Sequence, residues 1–340
     1  MIKRFGNRVA AAAVSSPRFG QGHISSWNYR SSRWTHSSSN GIDGLDTTTN
    51  ATQTSFSSSS SSSVSAAEVE KFVKLSNKWW DPAGPFKYLH TMNGPRIRFV
   101  REILADLARL APQGDRFNKP ENKQENRRGR RWIEGLAAVD VGCGGGLAAE
   151  SLARLGMRVL GIDAARENID MARAHAPRDL NKLEYAQTTA ERLVAELRNP
   201  QQQDGAGDEL LLFDAVVSLE VIEHVADPVP FCRSLVELAK PGGVVVVSTM
   251  NRTPLSFVVD VVLPEYLLGS VPRGTHDHSR FVPPDELRQI FRSLGAEHLD
   301  TQGLILDPFS NTCHLAPADF GLLRNAGVQA NYISAFRKNN

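Results

Sequence analysis

Five consecutive residues, Glu220-Val221-Ile222-Glu223-His224, bring two carboxylates and an imidazole close together in the chain. If the segment is helical, positions i, i+3 and i+4 put all three on one face. Oxygen-rich donors with one nitrogen suit a hard divalent cation such as magnesium or manganese. A plainer purpose fits the spacing equally well, because two acids at the start of a helix favour its N-terminus through the dipole. Spacing alone leaves both readings open. A second chemistry-bearing stretch lies upstream, where Gly142, Gly144, Gly145 and Gly146 crowd into five positions. Such crowding marks backbone that a ligand approaches closely, where a Cβ would collide. The dinucleotide fingerprint needs glycine at its first, third and sixth places, and here the sixth is Leu147. Asp140 also precedes the first glycine by two residues, where it would repel a pyrophosphate. A ligand with a cationic centre and no phosphate fits the loop better.

The elements that must position these groups alternate. Residues 137–141 read as a buried strand and 147–155 as a helix; 158–162 form a second strand ending at Asp163, followed by a helix over 167–175. A third strand spans 183–187 and a fourth 213–218, separated by a polar insert at 199–208. A helix over 229–239 then turns through Pro241-Gly242-Gly243 into a valine-rich strand at 243–248. This alternation predicts an α/β fold with a parallel sheet covered on both faces, its ligand at the carboxyl ends of the strands. Asp163 then stands at a strand end twenty-one residues after Gly142, placed to accept two ribose hydroxyl hydrogen bonds. Upstream, Val69, Phe72 and Val73 begin an amphipathic helix that leads into Trp79-Trp80-Asp81-Pro82. Residues 96–110 predict another helix, apolar at Ile97, Val100, Leu104, Leu107 and Leu110.

Composition separates the first 65 residues from the rest. They carry Lys3, Arg4, Arg8, Arg18, Arg30 and Arg33, no acid before Asp43, and a serine run at 57–63. So few large apolar residues cannot offset ordering entropy, and the Arg- and Ser-rich, acid-poor composition is that of a mitochondrial or plastid transit peptide. A merely disordered basic tail is the alternative. Without residues 1–65 the chain loses six positive and two negative charges, and its formal charge falls from +2 to −2. The basic balance therefore belongs to the leader and implies no nucleic acid partner. The basic loop at 114–131 likewise lacks interleaved aromatics over 118–131. Cys143, Cys232 and Cys313 form no CxxC pair, which excludes a thiolate zinc site and fits a reducing compartment.

Glycine loop, spaced acid, PGG turn and strand order together resemble a Rossmann-like S-adenosylmethionine-dependent methyltransferase fold, here with N-terminal helices and an inserted apolar helical segment. An NAD-dependent enzyme of similar topology is the alternative. Further stretches narrow the resemblance. They are Phe72…Trp79-Trp80-Asp81-Pro82…Phe86-Lys87…Leu89-His90…Met92-Asn93…Arg96, then DVGCGGGLAAESLARLG, SLEVIEHV, STMNR, VPRGTHDHSRFVPPDEL, GLILDPFSNTCHL and NYISAF. From about Ala66 to Arg337 the chain is similar to the ubiquinone-biosynthesis O-methyltransferase family, specifically its mitochondrial members.

That resemblance implies a leader over 1–65 and a methyltransferase domain over 66–340. It implies S-adenosylmethionine bound at Arg96, Gly142, Gly144, Asp163 and Leu219, and Mg2+ held by Glu220, Glu223 and His224. The substrates it implies are polyprenylated phenols, a 3,4-dihydroxy-5-polyprenylbenzoate and a demethylubiquinol. Adjacent ring oxygens can chelate a metal, which would lower the phenol's pKa from about 10 toward neutrality without a separate strong base. His276 and His278 are the alternative bases, each with a structural or loop-capping role as the plainer reading. A polyprenyl tail stays in the bilayer, and the segment from Pro254 to Val271 is apolar but broken by Asp260, Pro264 and Glu265. It is too interrupted to span a membrane and is expected to lie on the surface, with Phe257, Val258, Val262, Leu263, Tyr266 and Leu267 facing lipid. A cap packed on the domain is the alternative. The resemblance further implies a multi-subunit ubiquinone-synthesis complex on the matrix face of the mitochondrial inner membrane. Competing functions are a catalytically idle scaffold of the same fold and a methyltransferase of another catechol.

Overall fold

Near-continuous apolar runs bounded by glycine turns become strands buried on both faces, as parallel pairing requires. The computed structural model of the chain describes Ser63 and residues 65–110, 133–198, 212–267, 274–307, 310–319 and 326–340. The expected leader, apart from Ser63 and Ser65, lies outside the described residues, as do the basic loop at 114–131 and the polar insert at 199–208.

Parallel strands β1 (Ala137–Val141), β2 (Arg158–Asp163), β3 (Leu183–Gln187), β4 (Phe213–Leu219) and β5 (Ala239–Met250) carry helices α3 (Leu147–Arg154), α4 (Arg166–His175), α5 (Ala190–Leu197) and α6 (Pro228–Leu238). Their boundaries lie within a few residues of those read from the sequence. The sequence reading assigns no element where α5 forms, yet Thr189 caps it by accepting the Arg192 N–H. The sheet is mixed, which corrects the expectation of a parallel one. Strands β6 (Ala296–Asp307), β7 (Thr312–Pro317) and β8 (Asn331–Lys338) add antiparallel pairs, and the order is β3-β2-β1-β4-β5-β8-β6-β7. Polar residues interrupt β6 and β7, whose side chains are less buried than those of β4 or β5. That dilutes the continuous apolar signature by which parallel strands are read.

Two helices precede the sheet: α1 (Ala66–Val73) and α2 (Lys87–Leu110), joined by a 3-10 turn at Ser76–Lys78. Helix α2 begins nine residues before the expected start because it tolerates Pro95 in its interior. A proline usually breaks a helix by removing one N–H and crowding the carbonyl four residues back. Here buried Met92, before Pro95, and Ile97, Phe99, Val100, Leu104 and Leu107, after it, belong to one core with β1 and β4. Packing of both halves against the same sheet outweighs the lost bond. Truncating fully buried Leu104 to alanine is expected to cost about 2–5 kcal/mol.

After β5, a helical turn α7 (Pro254–Ser256) runs into a π-helix over Phe257–Leu267. Thr253 and Ser256 close a reciprocal capping box at its start. A further helix, α8 (Pro284–Ser293), packs beside β6 and β8.

Candidate functional site

Strand order reverses between β1 and β4, and the crevice at the carboxyl ends of such neighbours is where open α/β sheets bind ligands. The glycine loop leaves β1 there, and residues 219–224 leave β4. Together they line a cavity of about 470 Å³ whose walls include Gly142, Gly144, Asp163, Leu219, Glu220, Glu223 and His224. All the site residues expected from sequence meet at this cavity except Arg96, which stands buried behind it.

The loop's shape comes from left-handed backbone. Gly142 and Gly144 have φ of 74° and 52°, a region that costs other residues steric strain. Asp163 locks the loop: its Oδ2 accepts the Gly144 N–H at 3.0 Å, while Oδ1 accepts from Ala165 N at 2.8 Å and Asn168 Nδ2 at 3.2 Å. Burial pushes the Asp163 carboxyl's pKa up, opposed by these hydrogen bonds. Part of the glycine crowding also answers to the protein itself. A Cβ on Gly144 or Gly145 would strike the Trp79 indole, and one on Gly142 would strike Val221. Trp79 stacks on Phe86 at 3.9 Å and donates to Asn168 Oδ1, while Trp80 donates to the Gly145 carbonyl. The paired tryptophans thus clamp the loop, a role their sequence gave no sign of.

Residues 220–224 do not form the single helical face that the spacing suggested. Glu220 sits at the end of β4 with φ +57°, outside the short 3-10 turn Ile222–His224. A non-glycine residue held there stores strain, a state that functional sites collect. Its carboxylate accepts from the Ser248 hydroxyl at 2.8 Å. Glu223 is 3% exposed; one oxygen accepts from Thr249 Oγ1 at 2.8 Å, and the other finds no partner among the described residues. Burial, then the nearby Glu220 charge, raises its pKa to about 7. His224 Nδ1 lies 3.0 Å from Glu68 Oε2, and the imidazole holds the Glu68 carboxyl down at about 2.

Sequence reasoning missed two groups on the same walls, Glu68 and Asp260. Glu68 reaches His224 from α1. Asp260, read as a break in an apolar run, turns into the cavity, where Asn331 donates to Oδ1 and Oδ2 has no partner among the described residues. Burial raises its pKa to about 7, with Glu220 and Glu223 adding to the shift. His276, which the sequence offers as an alternative base, also lines the cavity, held by Glu265. A signal existed for Asp260 and Glu265 in their position: an acid inside an otherwise apolar helix must face either water or a polar interior.

Arg96, 4% exposed, presents Nε and Nη2 without hydrogen-bond partners among the described residues. Burial lowers its pKa, while Glu220, Cys313, Glu223 and Asp140 oppose that shift. Asp140 is buried and its pKa is raised to about 7, chiefly by desolvation.

A methyltransferase domain model matches residues 88–301. The chain is 38% identical over 270 residues to the ubiquinone biosynthesis O-methyltransferase of Dinoroseobacter shibae, covering 79% of this chain and 94% of that relative. The chain belongs to the ubiquinone biosynthesis O-methyltransferase family. It is an S-adenosylmethionine-dependent methyltransferase. Another family member, the mitochondrial ubiquinone biosynthesis O-methyltransferase of Arabidopsis thaliana, is 39% identical over 245 residues, 72% of this chain and 67% of that one. Among solved structures, a possible histamine N-methyltransferase from Thermotoga maritima matches at a TM-score of 0.47 and 16% identity, over 80% of this chain and 99% of that one.

The donors at 220–224 fit the magnesium ion expected of this O-methyltransferase family. Two carboxylates that raise or feel each other's charge, one with an orphaned buried oxygen, form an acceptor-only set that a cation would satisfy. With Glu68 accepting at Nδ1, His224 keeps its Nε2 lone pair for a metal, the usual carboxylate–histidine arrangement. Among the described residues, however, no three such side chains already stand in ligating geometry.

Proposed function

We propose that this enzyme transfers the methyl group of S-adenosylmethionine to phenolic hydroxyls of polyprenylated dihydroxy rings, at the two O-methylation steps of ubiquinone synthesis. The observation carrying this reading is the continuity of one cavity. Its walls hold the glycine loop and Asp163, the acids and imidazole of Glu220, Glu223 and His224, and the apolar side chains of Phe72, Leu89, Leu255, Leu263 and Ile305. One cavity thus offers a polar donor, a hydroxylated ring and a hydrocarbon tail the chemistry each needs.

The chain's own groups divide the work. The glycine loop leaves room for the donor's amino-acid part, and Asp163 retains acceptor capacity at Oδ2 for a ribose hydroxyl. The Arg96 guanidinium, short of partners, balances the acids behind the site. Glu220, Glu223 and His224 would hold magnesium, whose Lewis acidity lowers a phenol's pKa from its ordinary value of about 10. The buried, largely apolar wall excludes water and holds the acceptor oxygen in line with the methyl carbon, where positioning supplies much of the rate.

The same reading extends to location. Leu255, Phe257, Val258, Tyr266 and Leu267 are exposed on the segment expected to meet lipid, Leu267 at 71%. Leu263 departs from that expectation by lining the cavity instead, because the π-helix turns it inward. No helix among the described residues is long and apolar enough to cross a membrane, which suits a surface contact. The acid-poor leader and the mitochondrial name of the Arabidopsis relative support a mitochondrial site of action, on the matrix face of the inner membrane within a multi-subunit assembly.

The test is methyl transfer by the full chain from S-adenosylmethionine to a short-tailed dihydroxybenzoate, with magnesium, with a chelator, and with Glu220→Ala. Activity lost in the last two cases supports reaction and metal together. Activity indifferent to chelator would return Glu220 and Glu223 to structural roles, and an inert wild-type chain would reject the acceptor.

A further inference from the structure

His276, like His224, has a carboxylate on Nδ1, but it lies outside the 220–224 donor set that would hold a metal. Its Nδ1 lies 3.1 Å from Glu265 Oε1, which also accepts the His276 backbone N–H at 2.8 Å. Glu265 Oε2 accepts the Gly274 N–H at 2.7 Å, so the carboxylate is fully engaged and its side chain is 1% exposed. A buried carboxylate on Nδ1 fixes the proton there and leaves the lone pair on Nε2. Nε2 makes no hydrogen bond among the described residues, and the ring lines the cavity beside the acids. Its side chain remains 18% exposed, enough for a proton to leave to water afterwards.

His278, two residues on, is built differently. Its Nε2 lies 2.9 Å from the Thr253 carbonyl and 3.3 Å from Ser256 Oγ, at the capped start of the inserted helix. That histidine ties the insert to the 274–281 segment. The sequence offers both residues as alternative bases, and the geometry separates them. Glu265 is delivered by the π-helix, a form that recurs at functional sites.

We propose that His276, oriented by Glu265, is the general base that accepts the phenolic proton at Nε2. The step rests on the O-methyltransferase reading above. The phenolic O–H gives its proton to Nε2, and the oxygen pair forms the new O–C bond. The S–C pair returns to sulfur, turning the sulfonium into a thioether. Glu265 stabilises the imidazolium until its proton leaves to water. Charged groups facing the ring are Glu265 from the insert and Glu220 and His224 from the connection after β4. Burial lowers the pKa of His276, keeping the imidazole neutral and able to accept.

The experiment uses the full chain, saturated with magnesium, and compares two acceptors: a short-tailed dihydroxybenzoate and a nitro-substituted catechol already largely ionised at neutral pH. His276→Asn, which preserves a donor to Glu265, is expected to lower kcat about 10²–10⁴-fold with the first acceptor. The loss with the nitrocatechol should be under tenfold, and donor affinity, measured by calorimetry, should stay within about twofold. Glu265→Gln should lower kcat less, with the same dependence on acceptor. Equal losses with both acceptors would mark a structural role and overturn the proposal, as would an unchanged kcat with the dihydroxybenzoate. A wild-type chain that methylates neither acceptor would overturn the reading itself and the base with it.

Discussion

The two sides of the cavity are built on different principles. On one side the glycine loop and Asp163 are held by backbone: Gly142 and Cys143 N–H groups both donate to the Ile162 carbonyl, and Gly144 donates to Asp163. On the other side, side chains from segments far apart in sequence meet. Glu68 pairs with His224 across 156 residues, Asn331 with Asp260 across 71, and Ser63 accepts the Ala226 N–H at 2.7 Å through its carbonyl. In the proposed function the first is the donor side, set by its own strand ends with the two tryptophans as an outer clamp, and the second is the acceptor side, assembled from parts. The lesson is that cofactor recognition can be inherited with the strand ends, whereas acceptor recognition depends on elements added outside the parallel sheet.

Substitutions can break that contrast at several depths. The largest effect is expected from Gly144→Ala, since a Cβ meets the Trp79 indole and the backbone is left-handed there. Left-handed backbone alone costs about 1–2 kcal/mol, so donor affinity should fall at least tenfold, measured by calorimetry. An unchanged affinity would show that the loop is less rigid than its bonds imply. Next comes Glu68→Gln, which removes the charge beside His224 while keeping its shape. It should reduce kcat about tenfold and leave donor affinity intact, because Glu68 belongs to the acceptor side; a matching fall in donor affinity would dissolve the distinction between the sides.

A smaller effect concerns pH. The folded Asp140 carboxyl keeps its proton to about 7, against 3.8 as its ordinary value. Between those values the folded chain binds more protons than the unfolded one, so this group's contribution makes stability fall as pH rises. Urea unfolding of the donor-free protein from pH 4.5 to 7.5 should show a shallower fall in Asp140→Asn than in wild type. The smallest change in stability is expected from Leu267→Asp, on an exposed side chain: within about 0.5 kcal/mol by thermal unfolding. Its binding to liposomes should nonetheless weaken several-fold, and unaltered binding would remove residue 267 from the lipid contact.

How much could be read from sequence follows the same division. Strands β1 to β5 announce themselves through apolar runs and glycine turns, and the cavity's donor residues sit at fixed places relative to those strands. Glu220 and Glu223 were legible as residue types, though not in geometry, because spacing cannot reveal that Glu220 adopts φ +57° and leaves the helix. Glu68 and Asp260 were illegible as site residues, since each acts through a contact set by tertiary packing, while His276 was legible only as one of two candidate bases. The N-terminal half of α2 was hidden for a related reason. Pro95 is a local stop signal, and only the shared core of Met92, Phe99 and Leu104 overrides it. Strands β6 and β7 alternate in burial and carry polar residues, a weaker periodic signal than the four valines in a row at 244–247.

Strand β8 has a consequence for how the molecule assembles. It lies between β5 and β6, pairing Asn331 to Arg337 with Val244 to Met250 on one side and with much of β6 on the other. Neither neighbour can complete its hydrogen bonds before residues 331–338 arrive, although β5 precedes them by some eighty residues. Closing so long a loop makes this pairing slow relative to the local βα units. Until it happens, β5 and β6 each present an open edge to other chains. During synthesis, the parallel half can form first while these two edges wait. That interval is when these edges are most exposed to aggregation.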